Sequence, residues 1–281
     1  MAYQGVLTAT FVNRNNYATC AGLGALAAFA MILQYLRRLV TSDLESRVRL
    51  RDLIQTLMTS GWLLVMAVLL CSLALLLTQS RMGLVAFLAG AGTLLLGWSL
   101  RLPPGRTRAI GLGLLSLPVL LLVMNLWLSG DPTAARFAHL FANGDLRFDI
   151  YTLIQQSIAE RPWTGYGMGS FEWAFRLVRD EHIPVLVRRG HSDYLELAME
   201  IGWPATIALI SAFALVFASA VSMSIRREEP EVPLLFVAAT VQVGLHSLVD
   251  FSMQMPAVVF AYVLLAGLAF GGAARKTGLA D

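Results

Sequence analysis

Residues 60–100 read SGWLLVMAVLLCSLALLLTQSRMGLVAFLAGAGTLLLGWSL, and this stretch decides the fold. Two apolar runs, 60–78 and 82–100, flank Gln79-Ser80-Arg81, and Arg81 is the one formally charged side chain in the whole stretch. Each run approaches the roughly 20 residues that a helix needs to cross a bilayer core. With three residues between them, the runs form a tight helical hairpin.

Outward from this hairpin the same pattern recurs. Apolar stretches of comparable length lie at 17–36, 109–128, 203–223, 232–249 and 256–273, making about seven expected spans. Pro118 sits inside the 109–128 stretch, where a membrane helix tolerates a kink. Composition agrees: 57% of the 281 residues are hydrophobic, 14% are charged and the mean hydropathy is +0.66. A soluble globule of this size could not hide so much apolar surface, and disorder has the opposite signature. The expected fold is therefore all-α, a polytopic transmembrane helix bundle forming one domain over 1–281.

The net charge of +3 arises from 21 basic residues, of which only Lys276 is a lysine, against 18 acids. It is too small to suggest a nucleic-acid partner. The bias to arginine matters, because guanidinium groups grip phosphates through two parallel hydrogen bonds. Cys20 and Cys71 both lie in apolar stretches and read as small packing residues, so no disulfide framework is expected.

Arginines alternate along the chain as the positive-inside rule requires. Arg37, Arg38, Arg47, Arg49 and Arg51 follow the first span, and Arg101, Arg106 and Arg108 follow the third. Arg226 and Arg227 follow the fifth, and Arg275 with Lys276 the seventh. These segments belong in the cytoplasm, which puts the N-terminus outside and the C-terminus inside. Residues 1–16 lack the basic start of a signal peptide. The expectation is that further spans precede this sequence in a longer protein.

The longest external segment, 129–193, is too apolar for disorder and too long for a plain connection. Leu146, Ile150, Leu153, Ile154 and Ile158 recur at helical spacing, so 145–160 is expected to be an amphipathic helix. A glycine-rich turn ends it, with Gly165, Gly167 and Gly169. A short second helix over 171–178 carries Phe171, Trp173, Phe175 and Leu177, a composition suited to the lipid interface. The expected result is a folded helical cap on the outer, periplasmic face.

Candidate chemistry concentrates on that face. Arg81 lies at membrane-surface depth, where a charge is costly and needs a reason. It reads either as an anchoring arginine or as an anion clamp. Arg14 precedes the first span and Arg147 opens the cap helix. Seven loop arginines face ten acids between Asp131 and Glu200, so most are expected in solvated salt bridges. His191 stands just before the helix that leads into the fifth span, where it can titrate near neutrality and accept a proton. The structural alternative is a helix-capping histidine. His246, inside the sixth span, is expected to hydrogen-bond between helices, while His139 and His182 have weaker contexts. The sequence has no Asp-x-Asp pair, His-Glu-x-x-His run, cysteine cluster, Walker loop or Rossmann loop, so neither metal nor nucleotide chemistry has an evident ligand set. His246 and Asp250 form a lone polar pair, a weak signal of ion-coupled transport.

Several segments together resemble one family. They are Phe11-Val12-Asn13-Arg14-Asn15, Ser80-Arg81, and Arg147 opening a helix that ends in Arg161-Pro162-Trp163-Thr164-Gly165-Tyr166-Gly167. Gly190-His191-Ser192-Asp193-Tyr194-Leu195, Glu200-Ile201-Gly202 and His246-Ser247-Leu248-Val249-Asp250-Phe251 follow in order. The set resembles the O-antigen ligase and O-antigen polymerase superfamily of bacterial inner-membrane glycosyltransferases, in which Asn is common where Ser192 stands. The resemblance implies transfer of a glycan from undecaprenyl diphosphate to an acceptor hydroxyl on the periplasmic face, with inversion and without metal or cofactor. It implies His191 as the general base and Arg81, Arg147 and Arg14 as ligands of the diphosphate. The acceptor is left open between lipid A–core, a growing glycan and a protein hydroxyl. Two other classes compete: a non-catalytic binder of polyprenyl diphosphate, and a transporter, for which the repeats or broken helices in matching halves are not evident.

Overall fold

The computed structural model describes residues 6–41, 51, 54–116, 120, 146–179, 183 and 186–274. All regular structure among them is helical, with no strand. The helices are α1 (Arg14–Thr41), α2 (Trp62–Leu77), α3 (Arg81–Leu100), α4 (Arg106–Gly113), α5 (Leu146–Glu160), α6 (Phe171–Val178), α7 (Asp193–Arg226), α8 (Glu231–His246) and α9 (Pro256–Ala274). A π-helical turn, Leu57–Gly61, leads into α2, and a 3-10 turn, Ser252–Gln254, joins α8 to α9.

Six of the expected apolar stretches coincide with α1, α2, α3, α7, α8 and α9. Of the 109–128 stretch only 109–116 and Leu120 are described, so Pro118 and most of that expected span lie outside the described residues. By length and composition α1, α3 and α7 can each cross a membrane, while α2, α8 and Pro256–Gly271 are shorter apolar helices. The protein is a membrane protein built on this bundle.

The bundle is organised around α8, whose sides are covered by α1, α3, α7 and α9. Small residues let these helices approach closely, as they do where lipid offers no hydrophobic drive to association. A Cβ at Gly90 of α3 would come within 2.8 Å of the Ala238 carbonyl oxygen of α8. Leu23, Leu26 and Leu33 of α1, Leu94 and Trp98 of α3, and Phe236 of α8 fill the core. The expected hairpin between α2 and α3 is present. Its turn is closed by Thr78, which donates to the Leu75 carbonyl at 2.6 Å, and by Ser80, whose hydroxyl caps α3 by accepting from the Gly83 amide at 3.2 Å. By contrast, α7 leaves Ile207, Ile210, Phe213 and Leu215 exposed, the surface of a helix that faces lipid.

The two ends of the bundle differ in chemistry. At one end Arg37 of α1 pairs with the buried Glu231 of α8, and Arg38 pairs with Glu229 at 2.7 Å. Arg101 donates to the Arg227 carbonyl at 2.8 Å, and Arg227 to the Ala269 carbonyl at 3.1 Å. Of the arginines assigned from sequence to one side, Arg37, Arg38, Arg101 and Arg227 are therefore gathered at one end, while Arg47, Arg49, Arg275 and Lys276 lie outside the described residues. The opposite end holds the start of α1, the Ser80 turn, the start of α7 and the link from α8 to α9.

A second, smaller core lies at that opposite end. Ile150, Ile154 and Ile158 of α5 pack with Phe171 and Phe175 of α6, with Ile183 and Val187, and with Ala198 and Met199 of α7. The amphipathic helix expected at 145–160 thus supplies one wall of a folded cap. In α6 the four large apolar residues divide: Phe171 and Phe175 point inward, while Trp173 and Leu177 are exposed. The cap is fixed to α7 at a break in that helix. Gly202 has φ +73°, and a Cβ there would lie 2.5 Å from the Trp163 carbonyl carbon. Facing it, Gly165 has φ +61°, and a Cβ would meet the Glu200 carbonyl oxygen at 2.4 Å. Only glycine fits at either position. The two backbones then bond directly: Tyr166 to the Met199 carbonyl at 3.0 Å, Gly167 to the Glu200 carbonyl at 2.7 Å, and Trp203 to the Pro162 carbonyl at 2.8 Å.

Candidate active site

The site is built outward from His191. Its backbone has φ +53°, in the left-handed region, which costs a non-glycine residue roughly 1–2 kcal/mol. Several contacts hold it there. Gly190 donates its amide to Glu196 Oε2 at 2.6 Å, and Arg189 reaches Glu196 Oε1 at 3.2 Å and the Gln254 side chain. The Tyr151 hydroxyl, from α5, donates to the His191 carbonyl at 2.6 Å. Ser192 then caps α7, accepting from the Leu195 amide at 3.4 Å, as the sequence spacing of a helix start foretells. The strain is over-determined by its surroundings, a pattern characteristic of functional positions.

The His191 ring meets the Phe251 ring edge-on, with centroids 5.5 Å apart. Phe251 belongs to the link between α8 and α9, and that link is tied to the start of α7. The Asp193 amide donates to the carbonyls of Ser247 at 3.0 Å and Asp250 at 3.2 Å. The Asp193 carboxylate accepts from the Ser247 hydroxyl at 2.7 Å and from the Met253 amide and Gln254 side chain, each at 3.1 Å.

The same link anchors α1. Asp250 is fully buried and accepts from the Asn15 side chain and from the Phe251 amide at 2.8 Å. Beneath it, Thr19 of α1 bonds His246 Nδ1, which also lies 3.0 Å from the Ser252 hydroxyl. Ser252 in turn donates to Asn16 Oδ1 at 3.3 Å. His246 thus bonds between helices, as expected of a membrane histidine.

This arrangement locates the four residues singled out from sequence. Arg14, half-buried, precedes the Asn15 that holds Asp250. Arg147, half-buried in the first turn of α5, lies one helical turn before Tyr151. His191 sits on Phe251. The elements that carry these three residues are thus joined around His191 and the α8–α9 link, through Asn15, Tyr151 and His191 itself. Arg81 is exposed at the first position of α3 and has no ion pair among the described residues. It shares this end of the bundle: a Cβ at Gly83 would come within 2.8 Å of the Ala18 Cβ, in the second turn of α1. It remains apart from the polar cluster itself.

Two other loop arginines are held by near neighbours. Arg176 pairs with Glu172 and lies over the Trp173 ring, with the guanidinium carbon 4.6 Å from its centroid. Arg161 lies 4.7 Å from the Tyr166 ring centroid. Glu200 caps α6 by accepting the Phe171 amide at 3.0 Å. His139 and His182 fall outside the described residues. No group of three or more His, Cys, Asp or Glu side chains suited to a metal occurs among the described residues. Sequence reasoning missed the joining roles of Asn15, Thr19, Tyr151, Asp193 and Ser252. It also underweighted Asp250, although a carboxylate at the end of an apolar span is itself a functional signal.

Chemically, the cluster offers an imidazole packed on Phe251 at the end of an apolar bundle, on elements that also carry Arg14 and Arg147. That combination suits proton transfer next to a stabilised anion. A search of curated proteins returns no match to this chain. The family model described as O-antigen ligase matches residues 65–210, slightly more than half of the sequence, and includes Arg81, Arg147 and His191. The chain belongs to the O-antigen ligase family.

Proposed function

We propose that the protein transfers a glycan from undecaprenyl diphosphate to an acceptor hydroxyl at the periplasmic face of the bacterial inner membrane. His191 takes the proton of the acceptor hydroxyl as its oxygen attacks the anomeric carbon. The bond from that carbon to the diphosphate oxygen breaks, the configuration inverts, and the diphosphate leaves on its lipid. Arg81, Arg147 and Arg14 bind the two phosphates and stabilise the charge that grows on the leaving group. General-base assistance of this kind contributes about 10²–10⁴-fold.

The observation that carries this reading is the strained His191 packed on Phe251 of the link between α8 and α9, with Asn15, next to Arg14, bonded to that link and Tyr151, one turn after Arg147, bonded to the His191 carbonyl. Arg81 supports it by its place at the same end of the bundle. The arginine-rich opposite end supports the orientation, since cytoplasmic ends of membrane helices carry the excess of Lys and Arg. The family supports the glycan chemistry in general. Among acceptors, lipid A–core is the reading we adopt. The test is to mix membranes expressing the chain with undecaprenyl-diphosphate-linked oligosaccharide and lipid A–core, and to resolve products by size. A single addition to lipid A–core is expected. A ladder on the donor glycan would replace ligation by polymerisation, and no product with any acceptor would remove the enzymatic reading.

A further inference from the structure

We propose that the surface running from Trp163 to Leu177 is seated in the outer leaflet of the same membrane and thereby fixes the height of the cap above it. Four large apolar residues there point away from the protein: Trp163 is 77% exposed, Met168 75%, Trp173 66% and Leu177 83%. They are not spare core residues, because the inward face of α6 is already filled by Phe171 and Phe175, both 1% exposed. Leaving such side chains in water forgoes the stabilisation that their burial would give.

What covers this surface follows from where it is fastened. The Pro162–Trp163 backbone rests directly on Gly202 and Trp203 of α7. Trp203 begins the exposed row Trp203, Ile207 and Ile210, three residues on one helical face that continue into the apolar span. The patch therefore starts where the lipid-facing surface of α7 starts and is continuous with it. Arg161 and Arg176 flank it with their guanidinium groups over Tyr166 and Trp173. Aromatic rings with arginine heads beside them suit the headgroup layer, where one end of the side chain is apolar and the other meets phosphate. A glycan platform would share the tryptophans. Met168 and Leu177, which offer a sugar no hydrogen bond, favour lipid.

The consequence reaches the site. A Cβ at Gly190 would touch Ile154 at 3.1 Å and Phe171 at 3.2 Å, so the residue before His191 is packed into the same cap. Seating α6 in the leaflet sets the depth of His191 relative to lipid-borne phosphate. The docking itself does not depend on the reaction proposed above.

The experiment uses the full chain in nanodiscs, with Cys20→Ala and Cys71→Ala as background. Nitroxide labels are placed through Trp163→Cys and Leu177→Cys, and through Glu172→Cys as a control at a polar position on the flank of α6. Power saturation is expected to show positions 163 and 177 more accessible to oxygen than to a water-soluble nickel complex, with 172 reversed. Nickel access at 163 and 177 equal to that at 172 would overturn the proposal. So would labels that are wetted in the empty nanodisc and shielded only when free oligosaccharide is added, which would make the surface a glycan platform. A measurement without labels runs in parallel: brominated acyl chains should quench tryptophan fluorescence, and Trp173→Phe should remove part of that quenching. Unchanged quenching in this variant would also contradict the seating.

Discussion

At the residue scale the account turns on a histidine whose backbone is strained and whose ring is the proposed base. The two properties can be separated. His191→Gly relieves the left-handed conformation but removes the imidazole, so transfer should be lost while the thermal midpoint stays level or rises. His191→Ala loses transfer without that relief. Thermal unfolding in detergent beside a transfer assay checks both, and a large fall in the midpoint of His191→Gly would show that the ring mainly packs against Phe251. The sequence made His191 conspicuous through its neighbours, Gly190 before it and the helix start at Ser192 after it. It did not disclose the grip of Tyr151 or Phe251, since partners 40 and 60 residues away leave no local pattern.

Helices were legible because apolar runs of membrane length and the α5 periodicity are properties of one segment at a time. The break in α7 was not. Sequence reading led a helix from Asp193 into the span, and the structure opens that helix at Gly202 because another backbone must lie against it. Gly202→Ala therefore collides with Trp163 and forces a left-handed alanine. We expect destabilisation of the cap by at least about 1–2 kcal/mol, seen as faster amide exchange in α6 with α8 unaffected. Equal protection of α6 in both proteins would contradict the role given to the two glycines. The division of α6 into buried phenylalanines and exposed Trp173 and Leu177 was likewise invisible in composition and follows from its packing on α5 and α7.

For the whole molecule, the polarity between its ends is the main organising fact. At the arginine-rich end the two ion pairs differ in burial: Arg37 and Glu231 have side chains 15% and 2% exposed, against 60% and 57% for Arg38 and Glu229. Arg37→Ala strands a buried carboxylate and should cost about 3–5 kcal/mol. Arg38→Ala should cost less than about 1 kcal/mol. Chemical denaturation of the two variants in matched detergent checks the contrast, and equal effects would mean that Glu231 is hydrated. This polarity was legible in the alternation of arginines along the chain, whereas the convergence of α1, α5 and the α8–α9 link at the other end required the fold. That convergence is the central claim, and pairing transfer with donor binding tests it most directly. The wild-type chain, His191→Ala and Arg147→Ala would be compared for glycan transfer and for affinity toward undecaprenyl diphosphate. The account predicts that His191→Ala abolishes transfer and keeps the lipid affinity, while Arg147→Ala weakens both. Full transfer by His191→Ala, or unchanged lipid affinity in Arg147→Ala, would contradict it.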